Sequence, residues 1–445
     1  MLRLTALTSI LTAGLALAPA AFAQVPGGPG GTTTVPPAPT AVPPAPTFTP
    51  PIAAATPDPT PVPTIPTTGG GLTLPPPVDA TKMAASIRAT MNGNAFGYQF
   101  AIAQGGQLVP GNTTTDKRAG GFARSDADTP GSGPLPMTNT MRYEVASFTK
   151  NPVALSTMKL LRLNGLTIES PIHPWLPSSW KVRGTAFKTM KFRHLLAHTS
   201  GINQALTAKK ADMNDDTKFN SLYNNKWAGL KNIVALNPTL DSARSYKNAN
   251  YGILGILNAT MWRAHGGYVP SNGGNAPITE STYALFSQQF MQYGILGPAG
   301  IAPTPCTGNS ALDGLNYAAG ATQNTKGSLL AWPALNCAGN AGLRLSATEI
   351  VRYLAHLRHG TIVHPDDLKT MDDLRLGWSD ANNLSGEPAT ARWHGGAFNG
   401  DGSPQVWTCG MTFADGTEAA LIVNSPLKNG NDACDVLLAG YQAGK

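Results

Sequence analysis

A serine hydroxyl is a weak nucleophile at neutral pH until a neighbouring group takes its proton. In RYEVASFTKNPVALSTMKLLRLNGL, Arg142 to Leu166, Ser147 and Lys150 stand three positions apart where an extended pattern gives way to a helical one. On a helix that spacing puts both side chains on one face, with Cβ atoms about 5 to 6 Å apart. A lysine desolvated among other donors has its pKa lowered far enough to act as a base. The helix start adds free backbone N–H groups that help an oxyanion form at an attacked carbonyl. Ser147 and Lys150 are therefore candidates for the nucleophile and base of an acyl transfer. Ordinary residues at a helix start are the other reading.

The Ser-x-x-Lys pattern recurs at Ser156/Lys159 and Ser178/Lys181, so alone it identifies nothing. Position separates the three: Ser147 is at a strand-to-helix junction, Ser156 is mid-helix, and Ser178 is in a Pro/Ser/Trp loop. Roughly 100 residues later, DSARSYKNANYGILGILNATMWR carries Tyr246 and Asn248 ahead of an apolar helical run. Tyr246 is able to relay or take the serine proton if Lys150 and nearby positive charge lower its pKa. Asn248 is able to hold a substrate carbonyl or amide and to orient Lys150. A helix start with an aromatic residue and a capping Asn is the plain alternative. ARWHGGAFNG, 391–400, adds His394 followed by Gly395 and Gly396. Glycines permit close backbone approach to a ligand, and the Ala397 N–H is a candidate second oxyanion donor beside the Ser147 N–H. A Gly-Gly turn with an exposed histidine would look the same.

His194 and His198, four apart in RHLLAHTSG, invite a metal reading. No Glu follows His194 as a zinc-peptidase base would require, so helix packing with a turn cap is preferred and neither metal nor cofactor is expected.

GYQFAIAQGGQLVPG suggests a hairpin about Gly105-Gly106, and TDKRAGGFARSDADTPGSGPLP is loop-like until TMRYEVA resumes extended structure. The helix from Ser147 to about Asn164 carries Pro152 past its first turn, which predicts a kink or an irregular first turn. SATEIVRYLAHLRHG, 346–360, is a helix capped by Ser346 or Thr348, and QVWTCGMTFADGTEAALIVNS reads as two strands around Asp415-Gly416. The segments 203–240 and 266–340 look like elaborations that shape a cleft rim. The sum is an α/β or α+β layout, with strands at both ends of the domain and helices between them.

In this order and spacing the three elements resemble the penicillin-recognising serine hydrolases: class C β-lactamases, D-alanyl-D-alanine carboxypeptidases of the same branch, and β-lactamase-like esterases. GGQLVPGNTTTDKRAGGFA, FRHLLAHTSGI at 192–202 and AGLRLSATEIVRYLAHL at 341–357 are also similar to that family, and the likeness covers nearly all of 80–440. It implies a mainly antiparallel sheet flanked by helices, with a helical subdomain. It also implies Ser147 as the acylated nucleophile, Lys150 as its proton shuttle, Tyr246 as the base acting on serine and later on water, and Asn248 as the substrate-holding amide. His394-Gly395-Gly396 stands where the family has Lys-Thr-Gly. A lysine there would set a positive charge against a substrate carboxylate, whereas histidine with an ordinary pKa of about 6.5 holds little charge at neutral pH. Glycine in place of threonine removes a hydroxyl donor. The change resembles the esterase branch and weighs against efficient β-lactam hydrolysis.

The chain has 445 residues, and its ends differ in kind. MLRLTALTSILTAGLALAPAAFA, 1–23, has the basic start, apolar run and A-x-A ending of a secretory signal segment. Residues 24–78, rich in Pro, Thr and Gly, read as a disordered tether of polyproline character, and 79–445 as the folded hydrolase domain. Four cysteines fall in the second half of that domain, and in an exported chain Cys306 with Cys337 and Cys409 with Cys434 are the sequence-order disulfides among three possible pairings. The formal charge is +7 with only 13% of residues charged and no Lys/Arg run interleaved with aromatics, so a nucleic-acid groove is not indicated. No later stretch has spanning length. The expectation is a periplasmic or secreted serine hydrolase acting on a small ester or amide. The alternatives are a D-Ala-D-Ala carboxypeptidase or D-amino-acid peptidase taking a peptidoglycan-derived peptide, a weak β-lactamase, and a noncatalytic binding protein on the same fold.

Overall fold

The computed structural model describes residues 75–445 apart from 112–116, 183, 266–278, 305, 309–312, 331–336, 360–361, 381–383, 387 and 399–402. The expected signal segment and almost all of the tether lie outside the described residues. Val78, assigned from sequence to the tether, is buried, and its N–H donates to Asp415 Oδ2 at 3.2 Å. The folded part thus takes in at least one residue before 79.

The described residues form nine strands: β1 (Gly97–Gln104), β2 (Gln107–Leu108), β3 (Ala119–Arg124), β4 (Leu135–Pro136), β5 (Tyr143–Glu144), β6 (Arg344–Leu345), β7 (Arg392–Phe398), β8 (Val406–Thr412) and β9 (Thr417–Val423). The main sheet runs β4-β3-β1-β9-β8-β7, with β2 paired to β1, and every pairing is antiparallel. β5 and β6 form a separate pair. The helices that matter below are α1 (Ala80–Met91), α2 (Lys150–Leu163), α3 (Asn248–Ala264), α4 (Ala347–Arg358) and α5 (Ala433–Gly444).

The alternation of side chains along a strand explains the layering. Tyr98, Phe100 and Ile102 of β1 and Leu421 and Val423 of β9 join Met83 and Ile87 of α1 and Leu437 and Tyr441 of α5 in one apolar cluster. The intervening Ala101, Ala103, Ala420 and Ile422 join Ile350, Leu354 and Leu357 of α4 in the other. This second cluster continues through α2 and α3 into the helical half of the molecule, whose helices lie in sequence between β5 and β6.

Several sequence expectations hold. Gly105 and Gly106 both take positive φ (56° and 79°) in the two-residue turn between β1 and β2, the backbone such a turn requires. Ser346, not Thr348, caps α4, in a capping box with Glu349. The cysteines pair 306 with 337 and 409 with 434. One segment differs: the stretch read as a loop contains β3 and β4. Its glycines hide the strand from propensity rules, yet the pairing demands them, because a Cβ on Gly121 would lie 2.2 Å from the Phe96 carbonyl oxygen and Gly121 has φ +69°. The first turn of the expected 147–164 helix is a 3-10 turn, Ala146–Thr149, and α2 begins at Lys150. Pro152 therefore sits within the first turn of α2, where a backbone donor has no intrahelical use.

Candidate active site

β5 ends against the nucleophile turn. Glu144 is fully buried, and its Oε1 accepts from the Ala146 N–H at 2.7 Å and from the Gly342 N–H at 3.0 Å. Ala146 is held at φ +46°, a left-handed backbone that a non-glycine residue adopts at a cost. The chain then enters the 3-10 turn and α2, so that Ser147 is partly exposed while Lys150 is buried.

Two groups meet the serine. Lys150 Nζ lies 2.9 Å from Ser147 Oγ, and the Tyr246 hydroxyl lies 2.8 Å from the same oxygen. Lys150 Nζ also donates to the Asn340 carbonyl at 2.7 Å and stands 4.9 Å from the centre of the Tyr246 ring. Burial holds the Lys150 amine well below its usual pKa, against a smaller upward pull from the Glu144 charge. Tyr246 is 46% exposed to the cleft, yet loss of water around its hydroxyl end pushes the phenol up to about 12, partly offset by its hydrogen bond with Ser147. That shift runs opposite to the lowered pKa under which sequence reasoning allowed Tyr246 to act as a base. Asn248 is the first residue of α3, and its Oδ1 accepts from the Tyr246 hydroxyl at 3.1 Å. Among the described residues no hydrogen bond joins Asn248 to Lys150, whose amine meets the Asn340 carbonyl instead.

The edge strand β7 closes the other side. A Cβ on Gly396 would lie 2.3 Å from the Val145 carbonyl oxygen and 3.0 Å from the Ser147 nitrogen, so only glycine allows the strand to lie against the nucleophile turn. Ala397 follows it along the edge and is paired with Trp407 of β8.

The Beta-lactamase family model matches residues 83–261, the stretch that holds Ser147, Lys150, Tyr246 and Asn248. No curated protein matches the sequence. Among solved structures, the penicillin-binding protein homologue from Pyrococcus abyssi is similar at 18% identity over 82% of this chain and 76% of that one, with a TM-score of 0.55. The D-amino acid amidase from Ochrobactrum anthropi SV3, at 17% identity over 82% and 98% of the two chains, gives 0.53. The β-lactamase/D-alanine carboxypeptidase from Pseudomonas syringae, at the same identity and coverage, gives 0.54. The fold is the serine β-lactamase/transpeptidase fold. Proteins of the Beta-lactamase family are typically serine hydrolases.

Within this β-lactamase/transpeptidase fold the cleft has a volume of about 270 Å³ and runs along the free edge of β7 from Ser147 and Tyr246 to Trp407 and Asp432. His394, Gly395, Gly396 and Ala397 all line it. His394 is buried, not exposed on a turn, and its Nδ1 is 2.6 Å from the Gly395 carbonyl oxygen. Burial and the neighbouring Lys150 bring its pKa down to about 3, so the ring is neutral at physiological pH. The Cys409–Cys434 disulfide ties β8 to α5 beside the cleft, and a Cβ on Gly395 would lie 3.2 Å from Cys434 Sγ. Among the described residues none of the lining comes from the two elaborated segments, and beyond the expected residues it is Ser379, Trp393, Trp407, Thr408 and 432–434. Three helices of 203–240, Ile202–Met213, Asp216–Leu222 and Trp227–Val234, instead add Leu206, Phe219 and Leu230 to the core.

His194 and His198 each have local work. His194 bridges the Lys191 N–H and Asp241. His198 is buried, meets Asn250 Nδ2 at 2.8 Å and packs its ring 4.8 Å from that of Tyr246, so it supports the tyrosine wall of the site. Sequence reasoning missed this role, and it missed Glu144 and Asn340. A lone acid inside RYEVA was a usable signal for Glu144, since a charge in a buried strand needs partners. Asn340 contributes only a carbonyl, which any residue type has. Ser156 and Lys159, by contrast, bond to the Pro152 and Gly294 carbonyls, away from one another.

Proposed function

We propose that the protein is an exported serine hydrolase that forms an acyl-enzyme at Ser147 on small esters or amides, with esterase-like preference. The observation that carries this is the convergence of an amine and a phenol on one hydroxyl, at 2.9 and 2.8 Å. Neutral Lys150 takes the proton as Ser147 Oγ attacks the substrate carbonyl carbon. The tetrahedral oxyanion lies between the Ser147 and Ala397 N–H groups. Tyr246, kept protonated, relays the proton from Lys150 to the leaving group, while Asn248 and His198 hold its ring and hydroxyl in place. Water then attacks the acyl carbon, giving a proton through Tyr246 to Lys150; the Ser147 Oγ–acyl bond breaks, Lys150 returns the proton to Oγ, and the acyl group leaves as the acid. The secretory pattern of 1–23 and the two disulfides support export. No helix among the described residues is long and apolar enough to cross a membrane.

The test is fluorophosphonate labelling of the intact protein, read by mass spectrometry. An adduct on Ser147 is expected, with loss of both adduct and p-nitrophenyl ester hydrolysis in Ser147→Ala. Turnover of a simple ester without that adduct would overturn the assignment, and absence of any hydrolysis would favour a binding protein. A D-Ala-D-Ala carboxypeptidase or D-amino-acid peptidase is the second reading, favoured by likeness to the Pseudomonas syringae and Ochrobactrum anthropi proteins. Release of D-alanine from a peptidoglycan-derived pentapeptide would decide for it.

A further inference from the structure

The cleft holds two polar groups that the proposed mechanism does not use. Thr408 lines it, is 2% exposed, and its Oγ1 has no hydrogen-bond partner among the described residues. The hydroxyl both donates and accepts, and burying it unpaired is unfavourable unless a bound group completes it. Thr408 stands opposite Gly396 in the β7–β8 register, and opposed residues of an antiparallel pair present their side chains to the same face. That face is the one against which the nucleophile turn packs, because the missing Gly396 side chain points at Val145 and Ser147.

His394, two residues before Gly396, shares the face. A carbonyl oxygen can only accept, so the Nδ1 bound to the Gly395 carbonyl carries the ring proton. The ring is neutral, so Nε2 is left with a lone pair and acts as an acceptor. A lysine in this position would present a cation and attract a carboxylate. This chain presents an acceptor beside a hydroxyl.

We propose that His394 and Thr408 form a subsite for an uncharged amide group of the substrate, which donates N–H to His394 Nε2 and accepts from the Thr408 hydroxyl, and that the cleft discriminates against a carboxylate at the same place. The proposal rests on the reading of Ser147 as nucleophile and goes beyond it by naming the substrate group next to the scissile bond. A carboxylate has no proton for Nε2 and would set its charge against the imidazole lone pair. A primary amide satisfies both groups at once.

The experiment uses a matched thioester pair, N-benzoylglycyl thioglycolate and its primary carboxamide, with thiol release followed on the full-length protein. The expected result is a kcat/KM at least about tenfold higher for the carboxamide, the scale of one hydrogen-bonded group matched against one left unpaired. Thr408→Val lowers the carboxamide rate, Thr408→Ser restores it, and His394→Lys inverts the preference. The fluorophosphonate labelling rate of Ser147 reports whether each variant is folded, and should Thr408→Val fail to fold, the His394→Lys inversion carries the test. Equal rates for the two esters, or a carboxylate preference, in wild-type protein that labels at Ser147 would overturn the subsite and leave the hydrolase reading standing. No labelling of Ser147 at all would overturn both.

Discussion

Lys150 Nζ lies 2.9 Å from Ser147 Oγ inside a fully buried side chain, so the serine faces an amine that water does not solvate. Burial disfavours the ammonium and lowers its pKa well below the usual 10.5. The base form is the neutral one, so kcat/KM should rise with pH as Lys150 loses its proton and reach a plateau well below pH 10.5. Lys150→Met should lower kcat by about 10² to 10⁴, the usual share of a proton-transfer group. Lys150→Arg should be as poor, since a guanidinium stays protonated. The pH profile of ester hydrolysis checks the first point and single-turnover rates the others.

The Tyr246 hydroxyl, 2.8 Å from Ser147 Oγ, is held in its protonated form with a pKa near 12. As a relay, it matters most where a proton must travel between Lys150 and a leaving group or water. Tyr246→Phe should therefore leave Ser147 open to activated esters but slow release of the acyl group by about 100-fold or more. Intact-mass spectra during turnover should show the acyl-enzyme accumulating in the variant. A phenolate base would instead predict that acylation itself is lost.

Glu144 joins the nucleophile turn to the loop carrying Asn340, and its charge raises the Lys150 pKa against the effect of burial. Removing that charge removes the pull, so Glu144→Gln should move the rising limb of the pH profile to lower pH while keeping an acceptor for the Ala146 and Gly342 N–H groups. Glu144→Ala leaves those buried donors unpaired and should cost about 1 to 3 kcal/mol of stability. Chemical denaturation separates the two variants, and the pH profile of Glu144→Gln reads the electrostatic part.

What the sequence made legible depended on whether the signal was local. Ser147 and Lys150 were readable because helical periodicity fixes neighbours three apart, and the hairpin turns at Gly105-Gly106 and Asp415-Gly416 because positive φ selects glycine. β3 was not, since Gly120 and Gly121 are demanded by close approach to β1, a partner lying earlier in the chain. The opposite shifts of Lys150 and Tyr246 were half legible: desolvation of the lysine could be argued from its helix face, but the loss of water around the hydroxyl end of the half-exposed tyrosine depends on elements far apart in sequence. Thr408 had no sequence signal, because its lack of a partner exists only once β8 lies beside β7.

Far from the nucleophile in sequence, Glu418 of β9 is 1% exposed and has His359 Nε2 at 3.9 Å. Burial raises its pKa to about 8, helped by Asp415 and opposed by Arg358, and burial likewise lowers that of His359. Both shifts favour a neutral pair. A carboxyl with a raised folded-state pKa adds stability that is complete below its unfolded pKa, near 4.5, and is lost as pH climbs through about 8. Glu418→Gln is neutral at every pH and should escape that loss. Its Tm should be close to wild type at pH 5 and higher by a few degrees at pH 9. A gap that stays the same at the two pH values would mean that Glu418 is ionised in the folded protein throughout.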